Sequence, residues 1–112
     1  MAWAPRLLLV AAALSTLLLT APAPALAQAA DNVITDAREA WRKRDRNRLA
    51  ALRQQALAAQ HPLAPWVEYW DLNARLGEAQ ADEVEAFFAR WPDSYVEDRL
   101  RNDWLLELGK RR

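Results

Sequence analysis

The sequence predicts an all-α fold of antiparallel helix hairpins. Apolar residues recur every three or four positions, and no segment alternates with the period of a strand. Capping or helix-breaking residues bound most of the periodic runs, and the turns between runs are only a few residues long, the arrangement of antiparallel neighbours.

The first expected helix covers residues 31–44, with Val33, Ala37, Ala40 and Trp41 as its apolar stripe. Asp31 and Asp36 near its start, and Arg42, Lys43 and Arg44 at its end, complement the helix dipole. Asp45 or Asn47 is the expected cap of a second helix over residues 47–59, striped by Leu49, Leu52 and Ala56. His61-Pro62 closes that hairpin, and Pro62 suits the first turn of a third helix over residues 63–76. This helix is apolar on more than one side (Trp66, Val67, Tyr69, Trp70, Leu72, Leu76), so it predicts neighbours all round. Gly77 is its expected stop. Val84, Phe87, Phe88 and Trp91 place a fourth helix over residues 81–90, ended by Pro92. Ser94-Tyr95-Val96-Glu97 is a capping-box signature for a fifth helix, striped by Val96, Leu100, Trp104 and Leu108 and ended by Gly109.

Ahead of these helices stands an export signal. Arg6 and the amino terminus are positive, residues 7–19 are almost wholly apolar, Pro22 and Pro24 break any helix, and Ala25-Leu26-Ala27 is a small-x-small cleavage motif. The run is shorter than the roughly 20 apolar residues a spanning helix needs. The expected division is a cleaved signal peptide over 1–27 and an exported helical domain over 28–112, with no stable membrane span after cleavage. The chain has no cysteine, which excludes disulfides, thiol catalysis and cysteine-based metal sites. Stability must then come from packing, to which five of the six tryptophans, those beyond the signal, contribute.

The two hairpins echo each other. Trp41, Leu49 and Leu52 stand 35 residues before Leu76, Val84 and Phe87. Helix-turn-helix solenoids of the tetratricopeptide-like kind repeat near that length, and their units bury apolar faces by stacking. Helices 1 and 2 are expected to pair, as are 3 and 4, which leaves helix 5 without a partner. The expected architecture is therefore the start of an α-superhelix, an incomplete domain of a longer protein.

No complete catalytic constellation is legible. A glycosidase needs two carboxyls across a cleft, and the candidates are Glu68, Asp71, Asp82, Glu83, Glu85, Glu97 and Asp98. Asp82, Glu83, Glu97 and Asp98 stand at helix starts, where they complement the dipole; Glu68, between aromatics and next to Tyr69, is open to partial desolvation, but a lone glutamate in an array of helix hairpins is more often paired or exposed. His61 is the sole histidine, and the hydroxyls it would activate, Thr35 and Ser94, read as turn or cap residues. No HExxH, glycine-rich phosphate loop or EF-hand pattern is present. Catalytic, cofactor-binding and metal-binding residues are accordingly assigned to none of the positions.

Arg38, Arg42, Lys43, Arg44, Arg46, Arg48 and Arg53 form a basic run opposed locally by Glu39 and Asp45, while the remainder of the exported part is acidic. A solvated helix hairpin is the plain reading. Contact with an acidic surface is the functional one, and nucleic acid is set aside for an exported chain. Trp41, Trp66, Trp70, Trp91 and Trp104 fall mostly on the apolar stripes and read as core, although exposed tryptophans stack on sugar rings.

Three stretches carry a resemblance: His-Pro-Leu-Ala-Pro-Trp-Val-Glu-Tyr-Trp (61–70), Phe-Phe-Ala-Arg-Trp-Pro-Asp-Ser (87–94) and Arg-Leu-Arg-Asn-Asp-Trp-Leu-Leu-Glu-Leu-Gly-Lys-Arg-Arg (99–112). With Ala40-Trp41, Asp45 and Leu49 upstream, they resemble the N-terminal region of the soluble lytic murein transglycosylases. The resemblance spans essentially all of 28–112 and rests on helix-packing motifs. It implies a periplasmic location and a ring-like or U-shaped superhelix. It also implies a lysozyme-like domain, absent here, that cleaves the MurNAc–GlcNAc bond of peptidoglycan to leave 1,6-anhydromuramoyl ends. The catalytic glutamate belongs to that domain, and no residue here corresponds to it. The implied partners are peptidoglycan, through the full-length enzyme, and the remainder of the superhelix. The alternative is a free-standing periplasmic tetratricopeptide-like adaptor that binds proteins.

Overall fold

A computed structural model gives the fold and describes residues 23–111. Residues 1–22 of the expected signal, including the apolar run and Pro22, lie outside the described residues. Five α-helices are present: α1 Ala23–Lys43, α2 Arg46–Ala58, α3 Ala64–Ala74, α4 Ala81–Arg90 and α5 Tyr95–Lys110. A 3-10 turn, Leu76–Glu78, joins α3 to α4. The described residues contain no strand, so the chain is all-α.

α1 begins well before the expected Asp31. Residues 25–30 are nearly all alanine, the best helix former, and Pro24 sits in the first turn, where its missing N–H costs nothing. Pro24 therefore starts a helix where the sequence reading had it break one, and the Ala25-Leu26-Ala27 motif lies within the first turns of α1. The expected stops also shift. α3 ends at Ala74, and Gly77 lies within the 3-10 turn without a positive φ. α5 continues through Gly109 to Lys110.

The left-handed positions after α1 and α2 fall on Arg44 (φ 58°) and Gln60 (φ 51°). Both close Schellman turns: Asp45 N–H donates to Ala40 O (2.8 Å) and Arg44 N–H to Trp41 O (3.1 Å), while His61 N–H donates to Ala56 O and Gln60 N–H to Leu57 O. A non-glycine residue held there is strained by about 1 kcal/mol or more. Arg44→Gly is accordingly expected to raise stability by up to about 1 kcal/mol, with part of the gain lost to glycine's greater freedom when unfolded. A chemical denaturation midpoint unchanged or lower than wild type would rule this out.

The caps behave largely as their residue types require. Asp45 Oδ1 accepts from Arg48 N–H (3.2 Å), and Ser94 Oγ accepts from Glu97 N–H (3.2 Å). At α4 the Glu83 carboxylate reaches back to Gln80 N–H (3.3 Å).

The core runs through all five helices. Ala37, Ala40, Leu49, Leu52, Ala56, Val67, Tyr69, Leu72, Val84, Phe87, Val96 and Leu100 are each at most 4% exposed. The stripes of α2 and α4 thus turn inward as their spacing predicts, and the two helices start 35 residues apart, at Arg46 and Ala81. α1, α2 and α3 pack mutually, and α5 packs on both α3 and α4. This corrects the expectation that helix 5 is left over; helices 3 and 4 do run antiparallel, tied by Arg90 to Glu68 near the start of α3 and by Arg75 to Glu83 near its end. The 3-10 turn sets α3 and α4 apart, and the short turn after α4 returns α5 along it. There Val96, Leu100 and Trp104 bury themselves on the second apolar side of α3. Arg111 fastens the end of α5, donating to Leu76 O (3.1 Å) and Ala79 O (3.0 Å) while lying over the Trp104 ring.

Candidate functional site

Two polar arrangements stand out against this core. The first is a charged layer between α2, α3 and α4. Glu68 is 2% exposed and Asp71 5%, although both are acidic residues in the middle of α3. Burial of carboxylates is tolerated only when they are paired. Arg90 donates through Nε (2.7 Å) and Nη2 to Glu68 Oε1, and Trp91 Nε1 donates to the same oxygen (3.3 Å). Arg53 of α2 stands 3.4 Å from Oε2, which has no hydrogen-bond partner. Asp71 accepts from Arg75 Nη2 (3.3 Å), and Arg75 Nη1 donates to Glu83 (2.5 Å). The Arg75 hydrogen bond holds the Glu83 carboxyl below its ordinary range.

Glu68 is thus both buried and paired, with guanidinium donors on Oε1 and on its neighbour Asp71. The two carboxylates lie one turn apart on one helix, not across a cleft. This layer clamps helices together and presents no acid–base pair to a substrate. The other carboxylate candidates do not join it as a pair. Asp82 Oδ1 accepts from Glu83 N–H (2.9 Å), Glu97 pairs with Arg101 (3.8 Å), and Glu85 and Asp98 are exposed.

His61 is held by two partners. Its Nδ1 accepts from Leu63 N–H (2.9 Å), which places the ring proton on Nε2, 2.8 Å from Asp31 Oδ1. The ring ties α1 to the turn before α3 and has no hydroxyl partner. Thr35 Oγ1 donates back to Asn32 O (3.1 Å), and Ser94 Oγ donates to Trp91 O (2.7 Å).

The basic run is largely neutralised within the fold. Arg42 and Lys43 pair with Glu39, Arg46 with Glu78, Arg48 with Asp36, and Arg53 with Glu68 and Asp71. Arg46 lowers the Glu78 carboxyl by hydrogen bonding, and Arg42 does the same to Glu39. Among the described residues, Arg38 and Arg44 of this run form no ion pair.

The second arrangement links α1, α3 and α5. Trp41 Nε1 donates to Asn73 Oδ1 (2.9 Å), Asn73 Nδ2 to Asp103 Oδ2 (3.1 Å), and Tyr69 Oη to the same Asp103 oxygen (2.6 Å). Trp41 also stacks on Trp70, with ring centroids 6.0 Å apart and planes 23° from parallel. Trp41, Arg42, Arg44, Asn73 and Ala74 line a cleft of about 420 Å³ here, within the ordinary size range of small-ligand sites. Trp70 and Trp104 are buried as expected of core residues, whereas Trp41, Trp66 and Trp91 are only partly covered.

Burial and then the hydrogen bond to Asp103 push the Tyr69 phenol up to about 12. A group whose folded pKa is raised favours folding below its unfolded value of about 10, and that advantage fades as pH rises through the folded value. Stability is therefore expected to fall between about pH 10 and pH 12. Denaturation of Tyr69→Phe across that window checks this, since the variant lacks the phenol and its share of the fall. An equally steep fall in the variant would exclude Tyr69 as a source.

Sequence spacing pointed to none of these cross-helix links. Their partners lie 8 to 35 residues apart, and which faces meet depends on how helices rotate against each other. Among the described residues, no helix is long and apolar enough to cross a membrane, and no group of three or more acidic, histidine or cysteine side chains is placed to hold a metal ion. No protein-family model matches the chain, and no curated protein or solved structure shows significant similarity to it.

Proposed function

We propose that this chain is a non-catalytic superhelical module of a periplasmic lytic transglycosylase, one that helps shape or dock the enzyme on peptidoglycan glycan strands. The observation that carries most weight is on α5. Its inner side is buried, yet Leu105, Leu106 and Leu108 are 64%, 61% and 41% exposed on one helix. Leu105 and Leu108 share one side of the helix and Leu106 lies about a quarter turn from Leu105; an exposed apolar surface of this kind suits a further helical layer stacked on α5, as in a solenoid whose units cover one another. The α2 and α4 starts at a 35-residue offset and the ordered motifs at 61–70, 87–94 and 99–112 support the same reading. The export signal supports a periplasmic place for it.

The test is an immunoblot of the host's periplasmic fraction with antibody raised to residues 28–112. The expected result is a band several times larger than 28–112, which on isolation releases 1,6-anhydromuropeptides from sacculi. A band the size of 28–112, or a larger protein inert on sacculi, would reject the reading. The α5 leucines also suit a helix of another protein. A small periplasmic band that co-purifies with one partner at fixed stoichiometry would favour the tetratricopeptide-like adaptor.

A further inference from the structure

We propose that the cleft between the ends of α1 and α3 is a binding subsite for a sugar acid, with Trp41 as the stacking wall and Arg44 as the carboxylate partner. Three observations converge there. The Trp41 ring is fixed in advance by its bond to Asn73 and by its stack on Trp70, so little freedom is lost when a ligand seats on it. The C–H face of a pyranose packs on such a ring. Arg44 is exposed, forms no ion pair among the described residues, and occupies a left-handed position that glycine fills with least strain. Asn73 donates one amide hydrogen to Asp103, which leaves the second for a sugar hydroxyl or acetamido carbonyl.

The charge balance selects the ligand class. Arg42 lines the cleft but is committed to Glu39 through Nε (3.0 Å) and Nη2 (2.6 Å). One uncommitted guanidinium matches one carboxylate, in the planar two-point geometry that arginine favours. It does not match a polyphosphate backbone, which is held by several cations. A ring-shaped, hydroxyl-bearing monoanion fits the aromatic wall, the amide donor and the single cation together. The sugar-acid class rests on the cleft alone; naming a muramic residue as the natural ligand rests on the wall-enzyme reading above.

The test is a titration of the whole chain, by saturation-transfer NMR, with N-acetylmuramic acid, glucuronic acid and N-acetylglucosamine. At least one of the two acids is expected to bind about ten-fold or more tightly than the neutral sugar, the discrimination of one charge-assisted pair. Arg44→Gly is expected to erase that difference without lowering the thermal midpoint, because glycine relieves the backbone there. Retention of acid binding within a factor of about two in Arg44→Gly would overturn the proposal. So would equal binding of all three sugars, no binding of either acid, or displacement of the acid by an equal concentration of inorganic phosphate. Binding of glucuronic acid alone would uphold the site and count against the wall-enzyme reading. Loss of both acids would remove the site and leave the immunoblot result of that reading as it stands.

Discussion

Arg90→Ala is expected to destabilise the fold by about 3 kcal/mol, whereas Glu68→Leu is expected to cost under about 1 kcal/mol, although the two side chains are partners in one ion pair. The asymmetry follows from where each charge sits. The Glu68 side chain is 2% exposed and that of Arg90 43%. Removal of Arg90 leaves a carboxylate in the interior with Arg53 at 3.4 Å and the Trp91 indole as its remaining support. Removal of the carboxylate leaves Arg90 free to turn into solvent, and a leucine of similar volume packs against Leu72, Ala86 and the aliphatic stems of Arg53 and Arg90, which line the same space. The double variant Glu68→Leu/Arg90→Ala should then be less impaired than Arg90→Ala alone. Urea denaturation of the three variants decides this. Equal losses for the two single variants would mean that the pair works as a symmetric bridge and that the burial argument is wrong.

This pair marks where the sequence stops informing. Val84, Phe87, Phe88 and Trp91 give helical spacing without a gap, and α4 forms over the expected residues with the first three buried. Asp45 and Ser94 cap α2 and α5 because short polar side chains reach local N–H groups, so adjacent sequence suffices to read them. Glu68 could be picked out as a carboxylate among aromatics, but not that Arg90 and Arg53 would meet it from two other helices. That depends on how the 3-10 turn at Leu76–Glu78 spreads α3 from α4. The same spreading explains why helix 5 has partners: the apolar excess of α3 was visible, and which helix would cover it was not. Arg111 lies past the expected stop at Gly109, and its grip on the Leu76 and Ala79 carbonyls leaves no local signal. Similarly, Pro24 and Ala25-Leu26-Ala27 lie within α1 because small residues that suit a peptidase also form helix well.

The cleft at Trp41 shows the same division. Its spacing placed Trp41 on the stripe of α1, and the ring does pack against the core through Trp70. Its partial exposure and its tie to Asn73 arise only when α1 and α3 lie side by side. The basic run likewise read as one surface, but most of its charges are spent on carboxylates of α1, α3 and the 3-10 turn. What remains unpaired in this run, among the described residues, is Arg38 and Arg44 and not a broad positive face.

Leu100→Ala is expected to cost about 3 kcal/mol in this chain, and Leu106→Ala close to nothing, although both leucines lie on α5. Leu100 is fully buried, so truncation removes its transfer energy and leaves a cavity against α3 and α4. Leu106 is 61% exposed, so truncation removes little that water did not already touch. If a further helical layer covers α5 in a larger protein, Leu106 becomes interior there, and the same substitution should then cost about 2 kcal/mol or more. The comparison is therefore made twice, by thermal or urea denaturation of the chain and of the larger species recovered with the antibody to 28–112. A Leu106→Ala cost that appears only in the larger species assigns the exposed leucines to intramolecular stacking. A cost that stays near zero in both means that no intramolecular layer covers Leu106, and the stacking argument for a superhelix loses that support.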